Sequence, residues 1–232
     1  MLLDGVNIKT SLPSPDTFVQ KFKAAKEAGD EVICILIASK LSGTYQGAML
    51  AKQIVDYDGI HVIDAGHAAA SVAEKMLVIA ACRMRDQGCT AEEIVRRLEQ
   101  LRGSVRLIAC LDTLEYLARG GRLPAAVASI GTKLQLKPII VFGEDGEIQV
   151  VKKCMGSKRA MRDMTEMVTE RRIDPEYPVI PIFAQNDGNC QEYMAALKNA
   201  GCEGTMQAPQ GIGATIGSYI GPGGYGIVFV EK

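Results

Sequence analysis

Val32-Ile33-Cys34-Ile35-Leu36-Ile37-Ala38-Ser39-Lys40-Leu41-Ser42-Gly43-Thr44-Tyr45-Gln46-Gly47-Ala48 passes from a short β-branched run into a hydroxyl-rich turn and then into a helical pattern. An uninterrupted apolar run of this length reads as a strand buried on both faces of a parallel sheet. In open α/β sheets ligands gather beyond the carboxyl ends of the strands, where a helix N-terminus offers unpaired amides and positive potential. Ser39, Ser42 and Thr44 add hydroxyls there, and Gly43 adds an unobstructed amide. Such a turn suits an anionic head group, although Ser and Thr also cap ordinary helices.

Outward from this stretch the pattern alternates. Ser14, Pro15 and Gly29 supply the N-cap, first position and stop of a helix whose apolar face is Phe18, Phe22 and Ala25. A helix is expected over residues 44–57, with Ala48, Ala51, Ile54 and Val55 inward, and a strand over 61–64. A long Ala-rich helix over 68–87 stops at Gly88, and Thr90 with Glu93 forms a capping box for a helix through Leu101. Strand and helix in alternation imply a parallel sheet covered by helices. Asp4-Gly5 marks a turn before the Pro-rich segment Lys9-Thr10-Ser11-Leu12-Pro13-Ser14-Pro15.

After Arg102-Gly103-Ser104 the pattern changes, giving an expected boundary between an N-terminal α/β domain (1–102) and a C-terminal α+β domain (103–232) with a mixed or mainly antiparallel sheet. Strands are expected over 105–110, 137–142, 147–152, 178–183 and 227–230. Gly143-Glu144-Asp145-Gly146 reads as a hairpin turn. Helices are expected over 112–122, 157–172 and 190–200, and residues 209–226 are glycine-dense.

Composition narrows the function. The chain has 232 residues, 26 Lys+Arg against 27 Asp+Glu, and 47% hydrophobic residues, which supplies a core and disfavours a general polyanion binder. With no Trp and 5% aromatics, stacking platforms for bases are few. Cys34, Cys82, Cys89, Cys110, Cys154, Cys190 and Cys202 are scattered and form no CxxC, so neither a disulfide framework nor a zinc site is indicated. No metal or cofactor is expected. Lacking a signal-peptide pattern or an apolar run of membrane-spanning length, the chain is expected in the cytoplasm.

No catalytic set emerges from the residues. His61 and His67 are not spaced as a metal pair, and Ser42 has no evident His base. Gly211-Ile212-Gly213 lacks the third glycine and the following βαβ unit of a dinucleotide fingerprint. Arg119 and Arg122 either salt-bridge locally or dock an acidic partner.

Thr10-Ser11-Leu12-Pro13-Ser14-Pro15, Ser39-Lys40-Leu41-Ser42-Gly43-Thr44-Tyr45-Gln46, Thr113-Leu114-Glu115-Tyr116-Leu117-Ala118-Arg119-Gly120-Gly121-Arg122, Lys137-Pro138-Ile139 and Ile216-Gly217-Ser218-Tyr219-Ile220-Gly221-Pro222-Gly223 occur in the order seen in one family. The chain resembles the DegV family of bacterial fatty-acid-binding proteins. That resemblance implies two α/β domains with a long-chain fatty acid held between them. It also implies presentation of that acid to a fatty acid kinase, for phospholipid synthesis. Carried across, Ser42 and Thr10 would hold the carboxylate, with Ser11 and the Gly43 amide nearby. Two features depart from the pattern. Tyr219 stands where the family usually has His, so a phenol would replace the imidazole contact. The family also usually carries about sixty further residues at its start, including a first strand and helix, so the first sheet is expected to be truncated. The rival expectation is an enzyme, either a Ser42 hydrolase or a subunit similar to those of dihydroxyacetone kinases.

Overall fold

A computed structural model describes residues 8–123, 136–202 and 205–232. The Asp4-Gly5 turn lies outside the described residues. The chain divides into two compact units. The smaller comprises Ser11–Ser104 with Glu144–Glu147, and the larger comprises the residues up to Thr10, Val105–Gly143 and Ile148–Lys232.

In the smaller unit, α1 (Pro15–Ala28), β1 (Val32–Leu36), α2 (Thr44–Val55), β2 (Ile60–Asp64), α3 (Val72–Asp86) and α4 (Ala91–Arg102) follow in order. The expected caps form: Ser14 accepts the Asp16 amide, Gly29 closes α1 in the left-handed conformation, and Thr90 and Glu93 complete the capping box of α4. Strands β1 and β2 pair in parallel, Val32 with Ile60 through Leu36 with Asp64. Side chains alternate along a strand. Val32, Cys34, Leu36 and Val62 thus pack with Ile60 against Val19, Phe22, Ala48, Ala51 and Val55 of α1 and α2.

Three details depart from expectation. Every residue of β1 is half-buried, not buried on both faces, because among the described residues its sheet has two strands. Ile54 is exposed, and Thr44 and Gly47 take inward positions of α2 instead. The helix expected from residue 68 starts at Val72, after a single 3-10 turn at Gly66–Ala68. Ala69 (φ 41°) and Ser71 (φ 59°) take positive φ, which interrupts the helical path.

The larger unit holds a six-stranded mixed sheet in the order β5-β4-β3-β8-β6-β7. Its strands are β3 (Val105–Cys110), β4 (Leu136–Phe142), β5 (Ile148–Met155), β6 (Ile180–Phe183), β7 (Gln210–Gly211) and β8 (Tyr225–Val230). Only the short β6–β7 pair is parallel among these neighbours. On one face Ile108, Cys110, Ile139, Tyr225, Ile227 and Phe229 meet α6 (Ser157–Thr169) and α7 (Gly188–Asn199) through Met161, Met164, Val168, Tyr193 and Leu197. The helix expected over 112–122 is the single turn α5 (Glu115–Arg119), ended by Gly120 and Gly121. The glycine-dense tail contains a helix the pattern did not announce, α8 (Ala214–Ile220). Among the described residues no helix is long and apolar enough to cross a membrane.

Candidate functional site

The hydroxyl turn sits where β1 ends. The Ala38 carbonyl accepts the amides of Leu41 (2.9 Å) and Ser42 (3.2 Å), closing the turn, and Asp64 Oδ1 at the end of β2 accepts the Ser39 amide at 3.1 Å. The same carboxylate oxygen takes the Gly66 amide at 3.0 Å, so the two strand ends share one anchor. Beyond the turn, Ser42 Oγ lies 2.8 Å from Thr44 Oγ1 and accepts the Thr44 amide at 3.3 Å. The N-cap of α2 is Gly43, which has no side chain to cap the helix, so the first amide is taken by Ser42, one position earlier. Ser42 thus takes the amide two residues on, as capping hydroxyls do, and Thr44 sets a second hydroxyl beside it. A 12-residue helix thus presents its first amides beside two hydroxyls, an arrangement that favours an anion.

Leu12 lies over this helix start: a Cβ on Gly43 would stand 3.0 Å from its Cδ2. Ser11 is exposed on the same loop, and the division between the units falls on the Thr10–Ser11 peptide bond.

In the larger unit a second hydroxyl pair forms. Thr10 Oγ1 and the Tyr219 phenol share a hydrogen bond across 209 residues of sequence. The Tyr219 ring passes so close to Gly120 that a Cβ there would fall 2.3 Å from two ring carbons. A reciprocal contact puts the Tyr116 ring against Gly221, where a Cβ would be 2.3 Å from Cδ2. Arg122 places its guanidinium carbon 5.0 Å from the Tyr219 ring centroid and donates to the Gly120 carbonyl at 2.6 Å. Arg119 is ion-paired with Glu115 one turn earlier. At the end of the corner Asp112 pairs with Lys137 at 2.5 Å, and Asn189 donates to the Gly223 carbonyl at 3.0 Å.

The predicted residues therefore fall into two groups. Thr10 and Tyr219 bond each other in one unit, while Ser42 and Gly43, with Ser11 on a neighbouring loop, belong to the other. Thr44 was read from sequence only as one hydroxyl of the turn and Gly120 not at all, although each lies in one of the family-like motifs. Thr44 is flagged by its place at the helix start, whereas Gly120 has no local signal because its partner is Tyr219. Glu74, in the first turn of α3, was also missed. Desolvation pushes its carboxyl up to about 7, against a lowering hydrogen bond from the Ser71 backbone. His61 faces Glu31 at 3.5 Å and lies in β2, and His67 lies in the 3-10 turn.

Comparison with known proteins adds context to this geometry. The family described as "Uncharacterised protein, DegV family" matches residues 3–232. A DegV domain-containing protein of Caldanaerobacter subterraneus is 36% identical over 233 residues, covering all of this chain and 82% of the relative. A solved structure from Thermus thermophilus, described as fatty acid binding of a DegV family protein, superposes with a TM-score of 0.84 at 29% identity, covering 97% of this chain and 79% of that one. A DegV lipid binding protein from Thermotoga maritima gives 0.82 at 28% identity, covering 98% and 78%.

Proposed function

The chain belongs to the DegV family, and we propose that it binds a long-chain fatty acid whose carboxylate is taken by the Ser42 turn. The observation that carries this reading is the start of α2, with glycine at its N-cap, beside the paired hydroxyls of Ser42 and Thr44. A carboxylate there receives charge-assisted bonds from the hydroxyls and from the amides of the helix start. Thr10, Ser11, the Gly43 amide and Tyr219 complete the head-group set in this proposal. The acyl chain lies in an apolar tunnel, where each buried methylene contributes about 0.8 kcal/mol, so the tail supplies most of the affinity and the hydroxyls orient the head.

The same reading makes the protein a cytoplasmic carrier that presents its acid to a fatty acid kinase, with Arg119 and Arg122 at the docking surface. Support for a carrier over a hydrolase comes from Ser42 itself: its side-chain partner is a threonine hydroxyl, whereas a serine nucleophile is activated by a base.

Native mass spectrometry of the purified protein tests the lipid; a protein that neither carries nor takes up a C16–C18 acid overturns the proposal. Ser42→Ala tests the head group. It removes a hydrogen bond to a charged group, so affinity for the free acid falls about tenfold while the methyl ester is hardly affected. Equal losses for acid and ester would remove Ser42 from the site.

A further inference from the structure

Resting on the fatty-acid reading, we infer that Arg122 is a positioning residue for head-group recognition, holding the Tyr219 phenol at Thr10 through the face of its ring. A tyrosine side chain has two free torsions, so a phenol that must meet one hydroxyl needs its ring fixed by neighbours. Three contacts do this. The Gly120 backbone leaves room for the ring and for nothing else, since a Cβ would stand 2.3 Å from Cδ1 and Cε1. The Arg122 guanidinium sits over the ring at 5.0 Å. Its Nη1 is tied at 2.6 Å to the carbonyl of that same Gly120. The result is a closed circuit from the Gly120 carbonyl to the guanidinium, then to the ring, then back to the Gly120 Cα.

Conformation does not explain the glycine. Gly120 has φ −77° and ψ −9°, an ordinary helical backbone open to any residue, so only the Tyr219 ring requires the missing side chain. The matching contact of Tyr116 with Gly221 keeps the helix that carries Tyr219 in register with the turn that carries Arg122. A cation over the π face also draws electron density from the ring, which makes the phenol O–H a stronger donor to a carboxylate. Gly120 and Arg122 thus both serve the phenol.

The experiment uses the full chain with Arg122→Ala, Arg122→Lys, Gly120→Ala, Tyr219→Phe and the Arg122→Ala/Tyr219→Phe double variant. Its first arm needs no ligand: in 13C-tyrosine spectra, with Tyr219→Phe assigning the signal, Arg122→Ala and Gly120→Ala shift the Tyr219 ring resonance. An unmoved resonance in both overturns the inference. If Arg122→Ala does not fold, Arg122→Lys replaces it, keeping the charge but losing the planar fork, and a smaller shift is expected.

The second arm measures palmitic acid against methyl palmitate. Arg122→Ala and Tyr219→Phe each lower affinity for the acid about threefold to tenfold, and the double variant loses no more than either alone. Additive losses would show Arg122 acting on the ligand or elsewhere, not through the phenol, and would overturn the inference. A wild-type chain that binds neither compound defeats the fatty-acid reading, while the first arm still decides whether Arg122 positions Tyr219.

Discussion

The Ser42 turn and the Tyr219 corner present the same chemistry, a pair of hydroxyls, in opposite mechanical settings. Around Ser42 the one close approach to a glycine of the turn among the described residues is the end of an exposed leucine side chain, Leu12 against Gly43. Around Tyr219 the chain is interlocked: rings press on Gly120 and Gly221, and the Asp112 carboxylate would meet a Cβ on Gly223 at 2.3 Å. The first setting is held by short-range hydrogen bonds among the turn residues. The second fixes a side chain that would otherwise turn freely. A recognition site can thus combine a preorganised backbone with a side chain that packing has to place.

The sharpest break of this contrast is Gly221→Ala. Gly221 has φ 76° and ψ 173°, a region that is essentially glycine-only, and its Cα faces the Tyr116 ring. Strain of about 1–3 kcal/mol plus displacement of the ring gives an expected loss of about 3 kcal/mol, read as a melting temperature lower by roughly 6–12 °C. Adding Tyr116→Ala should relieve the clash but leave the strain, so the double variant recovers part of the loss in circular dichroism melts. Full recovery would mean that backbone conformation plays no part.

A second measurement addresses the smaller unit through Glu74, whose helix follows the loop that bonds the Ser42 turn by way of Ala38 and Ala69 at 2.8 Å. Desolvation raises its carboxyl from 4.5 to about 7. The folded chain therefore holds this proton more tightly than the unfolded chain. Its contribution favours folding most below pH 4.5 and is lost as the pH rises toward 7. Because the side chain is partly exposed, the expected gain from Glu74→Gln is about 1–2 kcal/mol at pH 8, with no gain at pH 4. Thermal melts at the two pH values check it. A pH-independent gain would assign the effect to packing.

What was legible in the sequence follows the distance between interacting residues. The strand, turn and helix of residues 32–55, the Ser14 cap and the Thr90–Glu93 capping box all depend on neighbours within a few positions, and each forms, although the burial expected of β1 and of Ile54 does not. The break before α3 was hidden because an alanine run favours helix by propensity, while Ala69 and Ser71 are held at positive φ by the surrounding fold. Helix α8 escaped because glycines dilute its pattern. Ser42 could be picked out from its place at a strand end. The link between Gly120 and Tyr219 could not, since 99 positions separate them and only the folded chain brings the ring to the glycine. Family resemblance marked both motifs without giving the physical reason that joins them.

The smallest expected effect is the most diagnostic of the open turn. Gly43 has φ −68° and ψ 6°, so alanine is conformationally acceptable there, and a smaller unfolded-state entropy contributes about 0.4–1 kcal/mol of stability. Against this, the new methyl lies 3.0 Å from Leu12 Cδ2, which must move by a few tenths of an ångström. Leu12 is 44% exposed and its methyl is the end of a flexible side chain, so that movement costs little. The gain is thus reduced by a small packing cost, and Gly43→Ala should melt within about 2 °C of wild type. The amide itself remains, so affinity for palmitic acid should change by less than about threefold, because no hydrogen bond is removed. A large loss of stability would show the Ser42 turn to be as tightly interlocked as the Tyr219 corner. A large loss of affinity with stability unchanged would instead place the ligand against the Gly43 Cα, closer than an amide contact requires.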